Sequence, residues 1–294
     1  MDYEYDMNQL QEAMLSATSL FRDCIIKIFA DNEEPDSLVD TTLKKLVSYF
    51  SERSQAIVHL VSFEYTWDAE IVLRSAFETC AKIWFICLQT PTNREVVVNE
   101  YWNIYSKIHN RKRLKKAHFS KLLFLSVKEK ESLDVISAFE DKSLFPCDDL
   151  NKKERKLIEQ KWSFSEIISH LELSHPPDFP MKHVSSLLHG YGVASSLIHA
   201  DDFALDLMLD RGLRNDQELL ILMCAHTARI WSDLVALWYI SLTALDYRYG
   251  IKSTDEGITK VYMDYWSLER PVNDRFNMSQ KDYYENLKRN NSDK

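Results

Sequence analysis

Apolar residues recur at helical spacing along nearly the whole chain. This spacing predicts an all-α fold with helices over residues 7–30, 36–90 with a break near 65–68, 93–117, 183–200 and 216–249. The sequence SHPPDFP at 174–180 is the strongest helix-breaking stretch. No run of alternating apolar and polar residues is long enough to predict a sheet.

The predicted helices fit a multi-helix bundle with long central helices, formed as one domain by residues 1–270. Residues 127–175 are more charged and predict shorter helices. We expect a helical insertion over about residues 93–175. The segment around Gly212 is expected to be a loop, and Gly250 is expected to cap the helix that precedes it. Residues 271–294 are polar and predict a C-terminal tail.

Composition narrows the function classes. Five glycines and seven prolines are too few for the many turns of an all-β fold. The net charge of −9 disfavours general binding of polyanions, so nucleic-acid binding would depend on a local basic patch. The five cysteines have no C-x-x-C spacing, which favours reduced thiols over disulfides or a zinc site. We expect neither a metal nor a cofactor.

The chain begins with MDYEYDMNQL, which lacks the basic-then-apolar order of a signal peptide. Wholly apolar runs such as IWFICL at 83–88 are far shorter than the ~20 residues that cross a bilayer. We therefore expect a cytoplasmic protein without membrane contact.

The helix predicted over 67–88 is apolar around about two thirds of its circumference, so it is expected to lie in the core. Its polar arc includes Arg74 and Glu78, which are four residues apart. These side chains predict either a surface ion pair or one wall of a polar cavity.

The stretch HGYGVASSLIHADD at 189–202 carries two of the five glycines inside an apolar helical run. If the helix is continuous, one polar stripe contains His189, Gly192, Ser196 and His199. A glycine in a helix interior costs about 0.5–1 kcal/mol relative to alanine. Gly192 would let another helix or a ligand approach the backbone. Gly190 lacks that reason, and it favours the alternative that the helix begins near Val193.

His199 has several polar neighbours in the sequence, namely Ser195, Ser196, Asp201 and Asp202. One interpretation is a buried histidine that Ser195 satisfies, and the other is a member of a functional site. The predicted helix over 216–249 adds three further polar residues, His226, Arg229 and Asp233. The last two have the i, i+4 spacing of an ion pair.

An LRSAFE core helix followed by SSLIHAD on a later helix resembles an uncharacterised bacterial all-helical family with R-S-x-x-E and S-x-x-x-H motifs. The resemblance covers about residues 50–90 and 183–245. It singles out Arg74, Ser75, Glu78, Ser195 and His199. It implies the helical fold and brings no agreed activity.

A more distant resemblance is to the HEPN superfamily of helical ribonucleases, which are common in toxin–antitoxin and phage-defence systems. Their signature is an arginine followed about four to six residues later by a histidine. Two stretches match it, RSQAIVH with Arg53 and His59 and RLKKAH with Arg113 and His118. Both lie in the first half of the chain, whereas the family usually carries the signature on a late helix.

The stretch KIHNRKRLKKAHFSK at 107–121 holds seven lysines and arginines and no acid. Such a run is either a solvated helix face or a nucleic-acid contact. For the second interpretation, the expected phosphate-binding residues are Lys112, Arg113, Lys115 and Lys116. Aromatic residues that could stack on bases lie nearby, at Tyr101, Trp102, Tyr105 and Phe119.

Together these residues predict a metal-independent helical ribonuclease or toxin-like effector in a bacterial defence or toxin–antitoxin system. His199 would be the general acid or base, and Arg74 would hold the scissile phosphate. Glu78 would orient one of them, and Ser195 or Ser196 would hydrogen-bond the phosphate or the imidazole. Supporting roles fall to His189, Asp201 and Asp202. The expected partners are RNA, a protein from the same operon and a second copy in a homodimer.

Two other functions fit the same residues. A non-catalytic helical sensor or partner-binding subunit would use them as a buried polar network that specifies the packing of the core. A small-molecule phosphate or nucleotide pocket is the third possibility. Access separates these functions, because a binding or catalytic site must face an open pocket and a structural network is closed.

Overall fold

The computed structural model describes residues 3–32, 37–124, 136–138, 140–252 and 256–292. Within these ranges the chain is helical and has no strand, which confirms the all-α prediction. The helices are α1 (Tyr3–Asn32), α2 (Leu38–Ser62), α3 (Thr66–Cys87), α4 (Pro91–Glu100), a π-helical turn (Tyr101–Tyr105), α5 (Ser106–Phe124), α6 (Lys152–Lys161), α7 (Phe164–Leu173), α8 (Met181–His199), α9 (Asp202–Gly212), α10 (Asp216–Tyr249) and α11 (Glu256–Ser292).

The chain divides into two compact units. One is formed by Met1–Leu88 together with Ile168–Lys294, and the other by Gln89–Ile167. The second unit lies within the segment that was expected to be an insertion, apart from its first few residues.

Helices α3 and α10 form the centre of the first unit. They pack against each other, α2 and α8 pack on α3, and α1 and α11 pack on α10. The sequence explains this arrangement, because α3 and α10 carry large side chains that are almost fully buried, such as Phe77, Trp84 and Trp238. The indole Nε1 of Trp84 donates to the Ser241 hydroxyl at 3.0 Å, which ties the two helices together.

The ends of α10 follow from its flanking residues. Asn215 and Glu218 form a reciprocal capping box at its start, and Gly250 caps its end with a left-handed φ of 67°, as predicted. Among the described residues, α10 is the one helix long and apolar enough to cross a membrane, and more than half of its most apolar stretch is buried. This is weak evidence for a membrane span, because the core helix of a soluble protein passes the same test.

Two segments differ from the expectation. The residues before Gly212 form helix α9, and the expected loop is limited to residues 213–215. The Asp201 side chain caps α9 by accepting the Ala204 amide at 3.1 Å. The residues from 271 onward, expected to be a tail, continue α11 to Ser292. Packing accounts for this helix, because Val272 is buried and Arg275 pairs with Asp6 of α1 at 2.6 Å.

Candidate functional site

Arg74 and Glu78 on α3 form the ion pair that their spacing predicts, with 3.3 Å between Arg74 Nε and Glu78 Oε1. Tyr191 of α8 contacts both side chains. Its hydroxyl donates to Glu78 Oε1 at 3.3 Å, and the Arg74 guanidinium lies 5.5 Å from the centre of its ring. Burial, together with the charge of Glu78, raises the pKa of Tyr191, so its hydroxyl remains a donor. Ser75 instead donates to the carbonyl of Val72.

His199 is the last residue of α8 and is exposed, so the interpretation of a buried histidine satisfied by Ser195 is wrong. It lies about 12 Å along the helix axis from Tyr191, the residue of α8 that meets Arg74. Ser195 and Ser196 are partly buried between them. The structure thus joins Arg74 with Glu78 and places His199 at the far end of α8, and the catalytic roles of all three stay predictions.

Asp201 and Asp202 begin α9. Asp201 is its N-cap, and Asp202 is exposed in its first turn, where an acidic side chain is favourable beside the helix dipole. This capping accounts for the acidic pair after His199 without a functional role.

The two glycines of α8 do not have the roles that were expected of them: Gly190, and not Gly192, lies at a close approach between helices. The helix is continuous, so the alternative start near Val193 is wrong. Gly192 is exposed, and a Cβ added there would meet nothing within 4 Å. Gly190 is buried, and a Cβ there would lie 2.8 Å from Asp233 Oδ2 and 3.1 Å from Arg229 Nη1. Gly190 is therefore the residue that lets α8 approach α10.

An open cleft of about 600 Å³ lies beside this close approach. Helices α3, α8, α9, α10 and α11 all contribute side chains to its lining. The charged and titratable lining residues are His189, Asp210, Arg211, His226 and Arg229. The lining also includes the aromatic rings of Trp67 and Phe276 and the side-chain amides of Asn277 and Gln280.

Glu70, on α3, is fully buried and joins two of the cleft residues. Its Oε1 accepts a hydrogen bond from His226 Nε2 at 2.7 Å and also contacts Arg229 Nη2. Arg229 reaches Asp233 at 2.9 Å as well, which confirms the pairing predicted from their spacing. Burial raises the pKa of Asp233 to about 6, while the charge of Arg229 opposes this rise. The result is a network of two acids, a histidine and an arginine at the wall of the cleft.

The protonation of His226 follows from its partners. Arg211 Nη2 lies 2.7 Å from His226 Nδ1, and because a guanidinium only donates, Nδ1 must be the acceptor. The proton is then on Nε2, facing Glu70. Burial, and secondly the charge of Arg211, lower the pKa of His226 to about 3. His226 is therefore neutral at pH 7, and both of its nitrogens are engaged.

Arg211 is a partly buried cation without a carboxylate partner. Among the described residues, no carboxylate oxygen lies within 4.0 Å of its guanidinium. Its guanidinium stacks 4.0 Å above the ring of Trp67, and its nearest acidic neighbour, Asp210, pairs instead with Arg214 at 2.7 Å. Burial lowers the pKa of Arg211 to about 10, although Asp210 opposes this shift. The site thus holds a positive charge that the protein itself compensates poorly.

Arg214, which follows α9, contacts helix α11 beside the cleft. This guanidinium donates to Gln280 at 3.2 Å and lies 3.2 Å from the ring centre of Tyr283. Asn273, about two turns before Gln280, donates to Glu269 at 2.9 Å. These contacts position the side-chain amides of Gln280 and Asn273 beside the cleft.

The basic stretch lies on α5 in the second unit, where part of its charge is neutralised. Three of its cations form ion pairs within the unit: Arg111 with Asp148 at 3.0 Å, Lys112 with Glu159 at 2.5 Å and Lys121 with Glu140 at 2.7 Å. Lys115 and Lys116 are exposed, and Arg113 is exposed and donates to Asn110 Oδ1 at 3.5 Å.

The aromatic residues near this stretch are mostly used for packing. Tyr101 and Tyr105 stack on each other and contact Trp162, with ring centres 5.0 and 5.8 Å away. Phe119 is exposed. Residues of the two arginine–histidine matches also make local contacts. Arg53 lies over the Tyr49 ring, and His118 pairs with Glu140.

The sequence analysis missed most of the cleft lining, including Trp67 and Arg211, and it also missed Glu70 behind the cleft wall. A signal for Glu70 was present, because it shares a helix face with the fully buried Leu73 and Phe77, and an acid on an apolar face needs a partner. Arg211 was missed because its segment was expected to be a loop.

In the described part of the chain, no group of three or more His, Cys, Asp or Glu side chains is placed to hold a metal ion. The five cysteines are free thiols.

The fold and site thus define an all-helical protein with an open, arginine-lined cleft. Comparison with known families gives the particular assignment: the chain belongs to the DUF5677 family, a family of unknown function, whose model matches residues 42–218, more than half of the chain. This agrees with the resemblance to an uncharacterised helical family. The match includes Glu70, Arg211 and the segment that was expected to be an insertion. No curated protein and no solved structure matches the chain.

Proposed function

We propose that the cleft binds a phosphate-bearing ligand and that this ligand is RNA. The observation that carries the proposal is Arg211, a partly buried guanidinium that faces the cleft and has no carboxylate partner among the residues that the structure describes. An anion bound beside it would supply the missing counter-charge. Arginine suits phosphate in particular, because its planar fork can donate two parallel hydrogen bonds to phosphate oxygens.

The remaining lining of the cleft fits a nucleotide. Trp67, Phe203, Phe276 and Tyr284 provide ring faces for base stacking. The side-chain amides of Asn277 and Gln280 provide donors and acceptors for base edges or ribose hydroxyls. A volume of about 600 Å³ accommodates one nucleotide with its phosphate, and the open mouth lets a strand continue.

Metal-independent cleavage is the reaction that such a site supports. The ribose 2′-oxygen would form a bond to the adjacent phosphorus while the bond from phosphorus to the 5′-oxygen breaks. His189, which is exposed in the cleft lining, would accept the 2′-hydroxyl proton. A water molecule would give a proton to the departing 5′-oxygen, and the products would be a 2′,3′-cyclic phosphate and a free 5′-hydroxyl. Arg211 and Arg229 would stabilise the negative charge that develops on the phosphorane. This chemistry would resemble that of the HEPN ribonucleases and suit a toxin-like effector.

A non-catalytic RNA or nucleotide sensor is the second candidate. The engagement of both His226 nitrogens favours it, because this histidine positions Arg211 and has no free nitrogen for proton transfer. In this function the network of Glu70, His226 and Arg229 only orients the cation for binding.

Binding is tested with a fluorescent RNA oligonucleotide that carries 2′-O-methyl groups, because it cannot be cleaved by this route. Arg211→Gln is expected to weaken its affinity about tenfold or more, since a charge-assisted hydrogen bond is lost. Arg270→Gln removes the same charge from an exposed position of α11 and is expected to leave the affinity unchanged. Equal affinities for the wild type and Arg211→Gln would overturn the proposal.

Cleavage is tested with the unmodified RNA in the presence of a chelator. His189→Ala is expected to abolish cleavage while it preserves binding of the 2′-O-methyl oligonucleotide. His199→Ala tests the site predicted from the sequence, and a loss of cleavage in this variant alone would transfer the catalytic role to His199. Binding without cleavage by the wild type would establish the sensor function instead.

A further inference from the structure

Helix α11 buries one face against α1 and α10 and leaves the opposite face exposed. The buried face includes Tyr262, Tyr265 and Val272. At about 100° per residue, six exposed residues of the opposite face fall within an arc of about 120°. They are Met263, Trp266, Arg270, Asp274, Met278 and Lys281. We call this set the α11 stripe.

Three members of the α11 stripe are large apolar side chains. Met263 is 50% exposed, Trp266 is 47% exposed and Met278 is 69% exposed. Single exposed apolar residues are normal on a protein surface, whereas an aligned set marks an interaction face.

The two central charges of the α11 stripe have no ion-pair partner in the part of the chain that the structure describes. Arg270 and Asp274 are four residues apart, yet they do not pair with each other or with another charged side chain there. Both are exposed, so they are available to a second molecule.

The order of residues along the α11 stripe is self-complementary when the helix is reversed about position 272. Arg270 and Asp274 lie two residues on either side of this position. Trp266 and Met278 lie six residues on either side of it. An antiparallel second copy would therefore oppose unlike charges and apolar groups, and each contact would occur twice, as a two-fold axis requires. A parallel copy would instead oppose arginine to arginine.

We propose that the α11 stripe is the interface between two copies of this chain, packed antiparallel about position 272. Arg270 pairs with the partner's Asp274, and the thioether of Met278 packs on the partner's Trp266. The aliphatic stem of Lys281, nine residues from the centre, lies along the partner's Met263 at the same distance on the other side.

The experiment is sedimentation equilibrium of the full chain without RNA, so its outcome is independent of the proposed RNA binding. The wild type is expected to dimerise. Arg270→Glu and Asp274→Arg are each expected to weaken the dimer about tenfold or more, because like charges then face each other at two places. Lys182→Glu reverses a charge at an exposed position of α8 and is expected to leave the dimer unchanged.

Mixing the two weakened variants gives the sharpest result. In a heterodimer of Arg270→Glu with Asp274→Arg, both contacts again join unlike charges, so the mixture is expected to dimerise with about the wild-type affinity. The chain that carries both substitutions is expected to dimerise for the same reason. Rescue by mixing requires that positions 270 and 274 of different copies meet.

Trp266→Ala tests the apolar contact and is expected to weaken the dimer about tenfold. Circular dichroism checks that each variant is folded. A wild-type chain that remains a monomer at about 100 μM would overturn the proposal, since a dissociation constant well above that value is too weak for a specific dimer. A dimer that Arg270→Glu and Asp274→Arg leave unchanged, or a mixture without rescue, would also overturn it.

Discussion

His226 illustrates how a residue in the cleft couples stability to pH. It accepts from Arg211 and donates to Glu70, and burial lowers its pKa to about 3 from an ordinary value of 6.5. The unfolded chain therefore binds a proton between these two pH values that the folded chain does not bind. The free energy of unfolding therefore decreases as the pH falls from 6.5 towards 3, because protonation of this histidine favours the unfolded chain.

We predict that His226→Gln removes this acid sensitivity. The contribution of His226 amounts to about 1.4 kcal/mol per pH unit within the window. The difference in free energy of unfolding between the wild type and His226→Gln should therefore shrink as the pH falls, measured by urea denaturation at several pH values. The raised pKa of Asp233 gives a pH dependence of stability of the opposite sign. Asp233 is present in both proteins, so its contribution largely cancels in the difference. A difference that is constant with pH would contradict the assignment.

The two glycines of α8 give a matched pair of substitutions. Gly190→Ala is expected to destabilise the protein by about 1–3 kcal/mol, because the new Cβ would crowd Asp233, Arg229 and Phe77. Gly192→Ala meets open space and is expected to stabilise it by about 0.5–1 kcal/mol through helix propensity. Chemical denaturation measures both changes. An unchanged or increased stability of Gly190→Ala would show that Gly190 is not a close-packing residue.

At the scale of helices, the apolar spacing was sufficient to place α3 and the full extent of α10, because long buried helices carry a strong periodic signal. It did not reveal α9, where apolar residues such as Phe203, Leu205 and Leu209 remain exposed, so no single buried face marks the helix. The cleft could not be predicted from the sequence for a related reason. Its residues come from five separate helices, and only their packing brings Arg211 to His226.

The start of α9 separates a structural role from a functional one. Asp201→Ala is expected to cost about 1 kcal/mol of stability through loss of the N-cap, and Asp201→Asn is expected to retain most of it. Asp202→Ala should change stability by only a few tenths of a kcal/mol, since Asp202 is exposed in the first turn. Thermal or urea unfolding checks these values. Loss of RNA binding in Asp201→Ala at unchanged stability would instead make Asp201 a site residue.

For the whole molecule, the remaining question is whether the basic stretch of the second unit takes part in RNA binding. We predict that replacing Lys112, Arg113, Lys115 and Lys116 with glutamine weakens binding to all RNA sequences and flattens its salt dependence. Most of the change should come from the last three, because Lys112 already pairs with Glu159. Affinities at two salt concentrations test this, with Lys112→Gln alone as the control. If the wild type and the quadruple variant have equal RNA affinities and equal salt dependence, the basic stretch is only a solvated helix face.

The association of the whole chain is a separate prediction. A homodimer would bring two copies of the basic stretch together by two-fold symmetry. Light scattering should then return twice the chain mass of 34.6 kDa at micromolar concentration, and the mass of a single chain would count against the dimer.

The most direct measurement is a crystal structure with a 2′-O-methyl RNA trinucleotide, at a concentration that saturates binding in solution. A phosphate oxygen is predicted within about 2.7–3.0 Å of the Arg211 guanidinium, with a base against the aromatic lining of the cleft. Glu70, His226 and Arg229 should keep the contacts described above. An ordered trinucleotide bound outside the cleft, or an empty cleft under saturating conditions, would contradict the assignment of Arg211 as the anion-binding residue.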